Sequence, residues 1–319
     1  MRPLPLVVVA LVALAGASGA DAYSWPLKPF TRPHPIRGSF GDPRYHLGPE
    51  AELSSFHFGV DIAASDGTAV YSVEPGYVHA YAARLTVTAR SSREFGYWHV
   101  KPVVRTGMHV RRHQLIGHVM PGWGHVHFAE RYRGNYKDPL RKGALTPFYD
   151  HTQPVVEPLQ VTTPEGGGVD PGHISGPIAV TSVIYDLPPL APPPPWQVAR
   201  LVPSRIAWTI SDAAGVFESG IVADFSLGIL PNSAYGLVYA PGTYQNKANR
   251  PGRYLFWITH ALDTKALPDG TWTLTVSATD TRNNVGTASV QLQTANGTSY
   301  YAGLPPRGAT TRLRPATAW

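Results

Sequence analysis

Short stretches of this chain alternate apolar and polar residues, and this period-two pattern predicts β-strands with one buried face. Turns containing glycine and proline separate the stretches, and no long helical pattern lies between them. Strands this short and evenly spaced favour an antiparallel sheet or half-barrel in the first half of the chain. The strands predicted there are Thr68–Val73, Tyr77–Tyr81, Arg84–Ala89, Tyr97–Val104, Leu115–Val119 and His125–Ala129.

A second β-rich part runs from about Ile174 to Thr294, and its strand count is typical of an immunoglobulin-like β-sandwich. Pro268-Asp269-Gly270 supplies a turn, and three threonines then alternate with Trp272, Leu274 and Val276. This segment is similar to the last hairpin of bacterial immunoglobulin-like modules. The strands predicted in this part are Ile178–Tyr185, Gln197–Leu201, Arg205–Ile210, Val216–Phe225, Tyr254–His260, Thr271–Ala278 and Ala288–Gln293.

The pattern therefore predicts an all-β protein of two folded domains. The first spans residues 23–150 and the second residues 174–294. Residues 151–173 are predicted to be a linker, because Thr163–Gly168 is rich in glycine and turn-forming residues. Residues 295–319 are rich in glycine, proline and arginine, and we expect a flexible tail there.

The N-terminal segment has the features of a secretory signal peptide over residues 1–22. Arg2 is followed by the apolar run Leu4–Leu14 and then by small residues that end in Ala20-Asp21-Ala22. The prediction is a protein that is secreted or located in the periplasm or cell envelope. An uncleaved N-terminal anchor is the alternative, and no later segment is long and apolar enough to predict a transmembrane helix.

Composition narrows the possible chemistry. The 319 residues include no cysteine, so thiol nucleophiles and thiolate metal sites are excluded and a metal would need His, Asp or Glu ligands. The net charge of +6 would attract the protein to anionic cell-wall surfaces, although ordinary solubility explains it equally well. The densest basic stretch, Arg131–Lys142, contains no nucleic-acid-binding motif, so no nucleic-acid partner is predicted.

His57 and Asp61 lie four residues apart in a predicted strand, so both side chains would face the same side. Phe58, Val60 and Ile62 would then form an apolar opposite face. Taken alone, this pair is also compatible with a surface histidine and a turn aspartate.

His125 and His127 share a strand face in the same way, with Val126 and Phe128 on the core side. Alone, they could be two solvent-facing histidines on an edge strand. If this strand neighbours the one with His57, four polar groups converge. A catalytic zinc uses three protein ligands and one open position, which leaves the fourth group free for acid–base work.

The order of motifs along the chain resembles the lysostaphin-type, or LytM-like, zinc peptidases, which include glycyl-glycine and DD-endopeptidases. The resemblance covers roughly Trp25–Leu140. Its elements are Gly38–Arg44, H-x-x-x-D at 57–61, Y-x-H-V at 97–100, V-x-x-G-x-x-V-x-x-x-Q-x-I-G at 104–117 and H-x-H-F at 125–128.

The resemblance implies that His57, Asp61 and His127 bind Zn²⁺ and that His99 and His125 are catalytic. By itself, His99 would be interpreted as a core histidine. The implied fold is a two-layer antiparallel β core with a groove over the zinc. The implied function is an exported zinc metalloendopeptidase whose partner is the peptide part of peptidoglycan. The alternatives are a non-catalytic LytM-like module that activates another cell-wall hydrolase, and a surface adhesion protein.

Two segments depart from the family pattern, and both are expected to border the groove. The loop His118–Gly124 is shorter than usual, and Tyr81–Phe95 is compact where a glycine-rich hairpin is common. The sequence therefore leaves open which peptide bond is cleaved.

We assign the general base to His125, since it shares a strand with a ligand, and the oxyanion or leaving-group role to His99.

Overall fold

The computed structural model describes residues 22–44 and 54–297, and in these ranges the chain is almost entirely antiparallel β-structure, as predicted. The predicted signal peptide, except Ala22, and the predicted tail beyond Gly297 lie outside the described residues. In the part described, no helix has the length and hydrophobicity needed to span a membrane.

Two sheets build the N-terminal unit among the described residues. The larger has the order β1-β4-β12-β8-β7-β6-β10, with β13 paired to β12, and the smaller has the order β5-β11-β9; β2 and β3 form a separate pair. The strands are β1 (Ile36–Gly38), β2 (Pro43–Arg44), β3 (Ser55–Phe56), β4 (Val60–Ala63), β5 (Ala69–Tyr71), β6 (Gly76–Ala80), β7 (Arg84–Ala89), β8 (Arg93–Trp98), β9 (Val100–Pro102), β10 (His109–Val110), β11 (Leu115–Val119), β12 (His125–Tyr132) and β13 (Asn135–Lys137).

Buried side chains fill the space between these two sheets. Val60 and Ile62 of β4 and Val126 and Phe128 of β12 are fully buried there, as the alternation predicted. Strands β4 and β12 are antiparallel neighbours with His127 opposite Asp61. The predicted convergence of the two polar motifs is therefore confirmed.

In the N-terminal unit, the strand predictions fail at two places, and both bear on the site. His57 is not in the same strand as Asp61, because residues 57–59 are not in strand conformation and separate β3 from β4. Phe58 consequently leaves the core side and packs its ring against Trp98 and Tyr136. The predicted strand Tyr97–Val104 is interrupted at His99, whose φ of 62° ends β8 and begins β9 in the other sheet.

The second unit contains two antiparallel sheets. In one, β16 pairs with β14, β15 and β19; the other has the order β18-β17-β20-β21. The elements are β14 (Val155–Val156), β15 (Gln160–Thr162), β16 (Pro177–Tyr185), β17 (Arg205–Asp212), β18 (Gly215–Asp224), a 3-10 turn (Asn232–Ala234), α1 (Tyr235–Val238), β19 (Leu255–Asp263), a 3-10 turn (Thr264–Ala266), β20 (Gly270–Thr279) and β21 (Val285–Thr294).

Apolar residues from both sheets share one core, with Trp272, Leu274 and Val276 of β20 pointing into it. Two predictions need correction here. Gln197–Leu201 forms no strand, since Ala199 instead closes a turn onto the Trp196 carbonyl. Residues 151–173, predicted as a linker, contain β14 and β15, whose backbone hydrogen bonds to β16 make them part of the sheet.

The second unit packs directly against the loop that follows β1. Phe40 and Phe56 of the N-terminal unit lie in the second core. The Val202 amide donates to Ser39 Oγ at 2.6 Å, and the Tyr239 hydroxyl donates to the Gly41 carbonyl at 2.7 Å. The two units are therefore joined by buried polar and apolar contacts at the base of the candidate site.

Three buried carboxyl groups meet at another contact between the units. Asp150, Asp186 and Asp280 place one oxygen each within 4.8 Å of one another. Burial, with the charge of Asp150, raises the pKa of Asp186 to about 8. The Asp186 carboxyl is therefore largely protonated at neutral pH.

Asp186→Asn is expected to raise the free energy of unfolding at pH 8.5 and to change it little at pH 5. Between the ordinary carboxyl pKa and about 8, the unfolded chain loses a proton that the folded chain keeps, so wild-type stability falls as pH rises. Asparagine does not titrate, so the variant should gain about 2–4 kcal/mol at the higher pH. Urea unfolding with a chelator at both pH values measures this, and equal gains would contradict it.

Candidate metal centre

Besides the three buried aspartates, the described residues contain one group that could hold a metal: His57, Asp61 and His127 offer one atom each within 4.8 Å of one another. His57 Nε2 lies 2.7 Å from His127 Nδ1 and 3.2 Å from Asp61 Oδ1. His127 Nδ1 lies 3.3 Å from the same carboxylate oxygen. The sequence-predicted trio thus forms a compact triangle.

The loop Ser39–Asp42 fixes the orientation of the His57 ring. The Ser39 carbonyl accepts a hydrogen bond from His57 Nδ1 at 2.7 Å, so Nδ1 carries the proton and Nε2 presents its lone pair to the triangle. Ser39 itself is held by Asp42, which accepts from Ser39 Oγ at 2.6 Å, and by the Val202 amide. This support outside the triangle is typical of histidines that bind metals.

Arg44 orients the Asp61 carboxylate by donating to Oδ2 at 2.8 Å, which leaves Oδ1 for the histidines. Burial opposes ionisation of Asp61, but His57, His125 and Arg44 together hold the pKa of its carboxyl well below the usual range. Burial lowers the pKa of His57 and brings that of His127 to about 4. At neutral pH the triangle therefore has two neutral imidazoles and one carboxylate.

This donor set fits a divalent cation. A proton on His127 Nδ1 can satisfy either His57 Nε2 or Asp61 Oδ1, but only one of them at a time. A cation at the centre would accept a lone pair from all three atoms. Because the imidazoles are already neutral, no proton must leave them before they bind.

His125 lies beside the triangle, with Nε2 at 3.4 Å from Asp61 Oδ1. Its other nitrogen, Nδ1, lies 2.7 Å from the Trp123 carbonyl and 2.6 Å from Arg37 Nη2. With the proton on Nδ1 the ring donates to Trp123; with the proton on Nε2 it accepts from Arg37. The ring can therefore present either a lone pair or a proton to the centre.

His99 lies beside His125 and completes the group of five residues. Its ring stacks on Trp123 with centroids 3.5 Å apart and lies 4.6 Å from the His125 ring. Burial, with the charge of His125, lowers the pKa of His99 to about 3. The left-handed backbone at His99 turns the chain out of β8 and places the imidazole over the groove.

A groove of about 1180 Å³ contains all five predicted site residues. Trp123 and its neighbouring glycines line it, as predicted for the loop His118–Gly124, whereas no residue of Tyr81–Phe95 is among the lining residues. The sequence did not predict the other residues that line the groove, since no local pattern identifies them. Those lining residues include Arg37, Phe58, Trp98, Trp196, Gln245 and Asn246.

Gly59 allows the close approach of β3–β4 to β12. A Cβ at this position would lie 2.4 Å from the Phe128 carbonyl oxygen and 2.9 Å from His127 Nε2. Neither neighbour is the end of a flexible chain, so a larger residue must displace the backbone between His57 and Asp61.

We expect Gly59→Ala to lower the free energy of unfolding by about 1–3 kcal/mol and to weaken metal binding. Urea unfolding and a zinc titration of the apo-protein measure the two effects. Gly168→Ala is the control, since a Cβ there meets nothing within 4 Å. Wild-type zinc affinity in Gly59→Ala would contradict the prediction.

Residues 55–139 match the profile of Peptidase family M23, a family that includes zinc metallopeptidases. The matched range contains all five predicted site residues. No curated protein matches the chain significantly.

Several solved structures are similar to part of the chain. A zinc-containing peptidase from Vibrio cholerae is 28% identical over 37% of this chain and 39% of its own, with a TM-score of 0.31. Helicobacter pylori Csd3 is 24% identical over 41% of this chain and 36% of its own, with a TM-score of 0.32. A mutant catalytic domain of the M23 protein EnpA from Enterococcus faecalis is 24% identical over 36% of this chain and 98% of its own, with a TM-score of 0.27. The chain thus spans well under half the length of the first two proteins.

Proposed function

Residues 55–139 are a Peptidase family M23 domain, and on that basis we propose that the protein is an exported zinc metalloendopeptidase that hydrolyses peptide bonds of bacterial peptidoglycan. One observation carries this proposal. Three ligand atoms of His57, Asp61 and His127 converge within 4.8 Å, with two further histidines beside them in an open groove. A regulatory module that binds another hydrolase would not need that convergence.

The proposed site residues divide into three that bind and two that handle protons. A zinc ion held by His57, Asp61 and His127 would supply a water of lowered pKa and a Lewis acid for the scissile carbonyl. His125 can take a proton at Nε2 while its Nδ1–H donates to the Trp123 carbonyl.

His99 is the second histidine of this mechanism. The stack on Trp123 fixes its ring plane, and its ring lies 4.6 Å from that of His125, so both imidazoles would face the same reacting part of a bound peptide. It would donate a hydrogen bond to the developing oxyanion, or pass on to the leaving amine the proton that His125 has taken from the water. Its lowered pKa means that it enters the reaction as a neutral imidazole.

Location and partner follow from the same proposal. The predicted signal peptide would export the chain to the periplasm, cell envelope or medium, where peptidoglycan is the abundant peptide polymer. The net charge of +6 would favour contact with the anionic wall. The groove is open enough to admit a branched peptide rather than only a free amino acid.

Two measurements on the purified protein test the proposal. Zinc content should be close to one ion per chain, and digestion of purified peptidoglycan should release peptide fragments that mass spectrometry identifies. If no fragments are released, either before or after zinc is added, the proposed enzymatic activity is refuted. A metal-free protein that instead increases the activity of another cell-wall hydrolase would establish the regulatory alternative.

A further inference from the structure

Arg37 places a guanidinium group in the groove beside the catalytic histidines. It lies on β1, is half-buried, and its Nη2 is 2.6 Å from His125 Nδ1. His125 in turn lies 3.4 Å from Asp61 Oδ1. Taken across the imidazole ring, these contacts place Nη2 at most about 8 Å from the Asp61 oxygen, roughly the length of two to three extended residues.

This guanidinium forms no ion pair with a carboxylate among the described residues, in contrast to Arg44, which pairs with Asp61 and Asp42. Among the described residues, its side-chain hydrogen-bond contact is His125, which carries no negative charge and therefore does not balance the guanidinium. Burial lowers the pKa of Arg37, which reflects the loss of solvent around the charge. An anion in the groove would recover that lost interaction.

The second unit holds Arg37 in place. The guanidinium carbon lies 4.1 Å from the centre of the Trp196 ring, a cation–π contact, and Asn246 Nδ2 donates to the Arg37 carbonyl at 3.2 Å. Trp196 and Asn246 both line the groove. The stacked face leaves the edge of the planar guanidinium, with its N–H groups, available to a ligand.

We propose that Arg37, supported by Trp196, is a specificity-determining subsite that binds a free carboxylate of the substrate next to the scissile bond. This inference rests on the proposed peptidase function and adds the substrate class: peptides with a carboxylate within about two to three residues of the cleaved bond. The carboxylate could be the C-terminus of a short stem peptide or a side-chain acid. Both offer the planar pair of oxygens that a guanidinium fork binds with two hydrogen bonds.

The test uses the shortest peptide released or cleaved in the peptidoglycan digestion, synthesised in three forms. One form has all carboxylates free, one has a C-terminal amide, and one has side-chain amides. Each is given to the wild type and to Arg37→Gln, with kcat and KM determined separately. Arg90→Gln is the matched control, since Arg90 is exposed and outside the groove.

For the wild type, amidation of the bound carboxylate should lower kcat/KM by about 10- to 100-fold, mainly through KM. Arg37→Gln should lose a similar factor on the free acid and become insensitive to that amidation, whereas Arg90→Gln should behave as wild type. Whichever amide shows the effect identifies the carboxylate. Arg37→Lys should restore only part of the discrimination, because lysine keeps the charge but loses the fork.

A binding measurement separates this subsite from catalysis. Calorimetric titration of the metal-free protein with the acid and amide peptides should give the same preference as kcat/KM. Trp196→Ala should weaken the preference, and Trp196→Phe should retain it. Wild-type cleavage of acid and amide at equal rates, or unchanged discrimination in Arg37→Gln, would overturn the subsite while leaving the peptidase intact. A wild type that cleaves nothing would instead refute the proposed function.

Discussion

Replacing His57 by alanine is expected to leave the purified protein without bound zinc and without peptidase activity. The substitution removes one of the three converging atoms, and Nε2 of His57 is the one whose lone pair is fixed by the Ser39 carbonyl. Loss of a residue that is only hydrogen-bonded to a metal ligand weakens metal affinity by about 10- to 100-fold, so loss of the ligand itself should weaken it more. Elemental analysis after dialysis, together with peptidoglycan digestion, measures both effects.

The control for this prediction is His79→Ala. His79 lies exposed on β6 and does not line the groove, so its loss should change neither zinc content nor activity. Circular dichroism of both variants establishes that the sheet structure persists. Stoichiometric zinc in folded His57→Ala would show that this triangle is not the metal centre.

Replacing His125 by alanine is expected to keep the zinc and to lower kcat by about 10²- to 10⁴-fold, the range of general acid–base catalysis. The three atoms of the triangle do not include His125, although its Nε2 lies 3.4 Å from Asp61 Oδ1. Zinc content and turnover therefore separate in this variant, whereas in His57→Ala they fall together.

His99→Ala serves as the comparison for His125→Ala. Both variants should bind zinc, since neither histidine belongs to the triangle. The base is identified from the pH profile of kcat, because the variant that lacks the base loses the acidic limb while the other keeps it. Full activity in His125→Ala would remove the role assigned to that residue.

The candidate site was predictable because its chemistry follows the local alternation of β-strands. His125 and His127 face one side of β12 while Val126 and Phe128 fill the core. Over a strand of eight residues, this alternation is visible in the sequence. The second unit was predictable for the same reason, since Trp272 and its alternating neighbours point into its core. Its identification as immunoglobulin-like remains a prediction.

Other features were not predicted from the sequence because they depend on contacts between distant parts of the chain. Gly59 lies so close to β12 that a Cβ would have no room, and the local sequence pattern does not identify that neighbour. His99 adopts its left-handed backbone where the chain passes from one sheet to the other. The predicted linker joins β16 through hydrogen bonds that its own composition does not specify.

By itself, the sequence determined that this is an all-β chain and that His57, Asp61 and His127 are available as ligands, since side-chain alternation and residue type are local properties. Only the tertiary structure decided that the second unit forms a wall of the groove. Arg37 meets Trp196 because the second unit packs against the loop Ser39–Asp42 that follows β1. That packing depends on the shapes of both surfaces, and no pattern along one strand contains it.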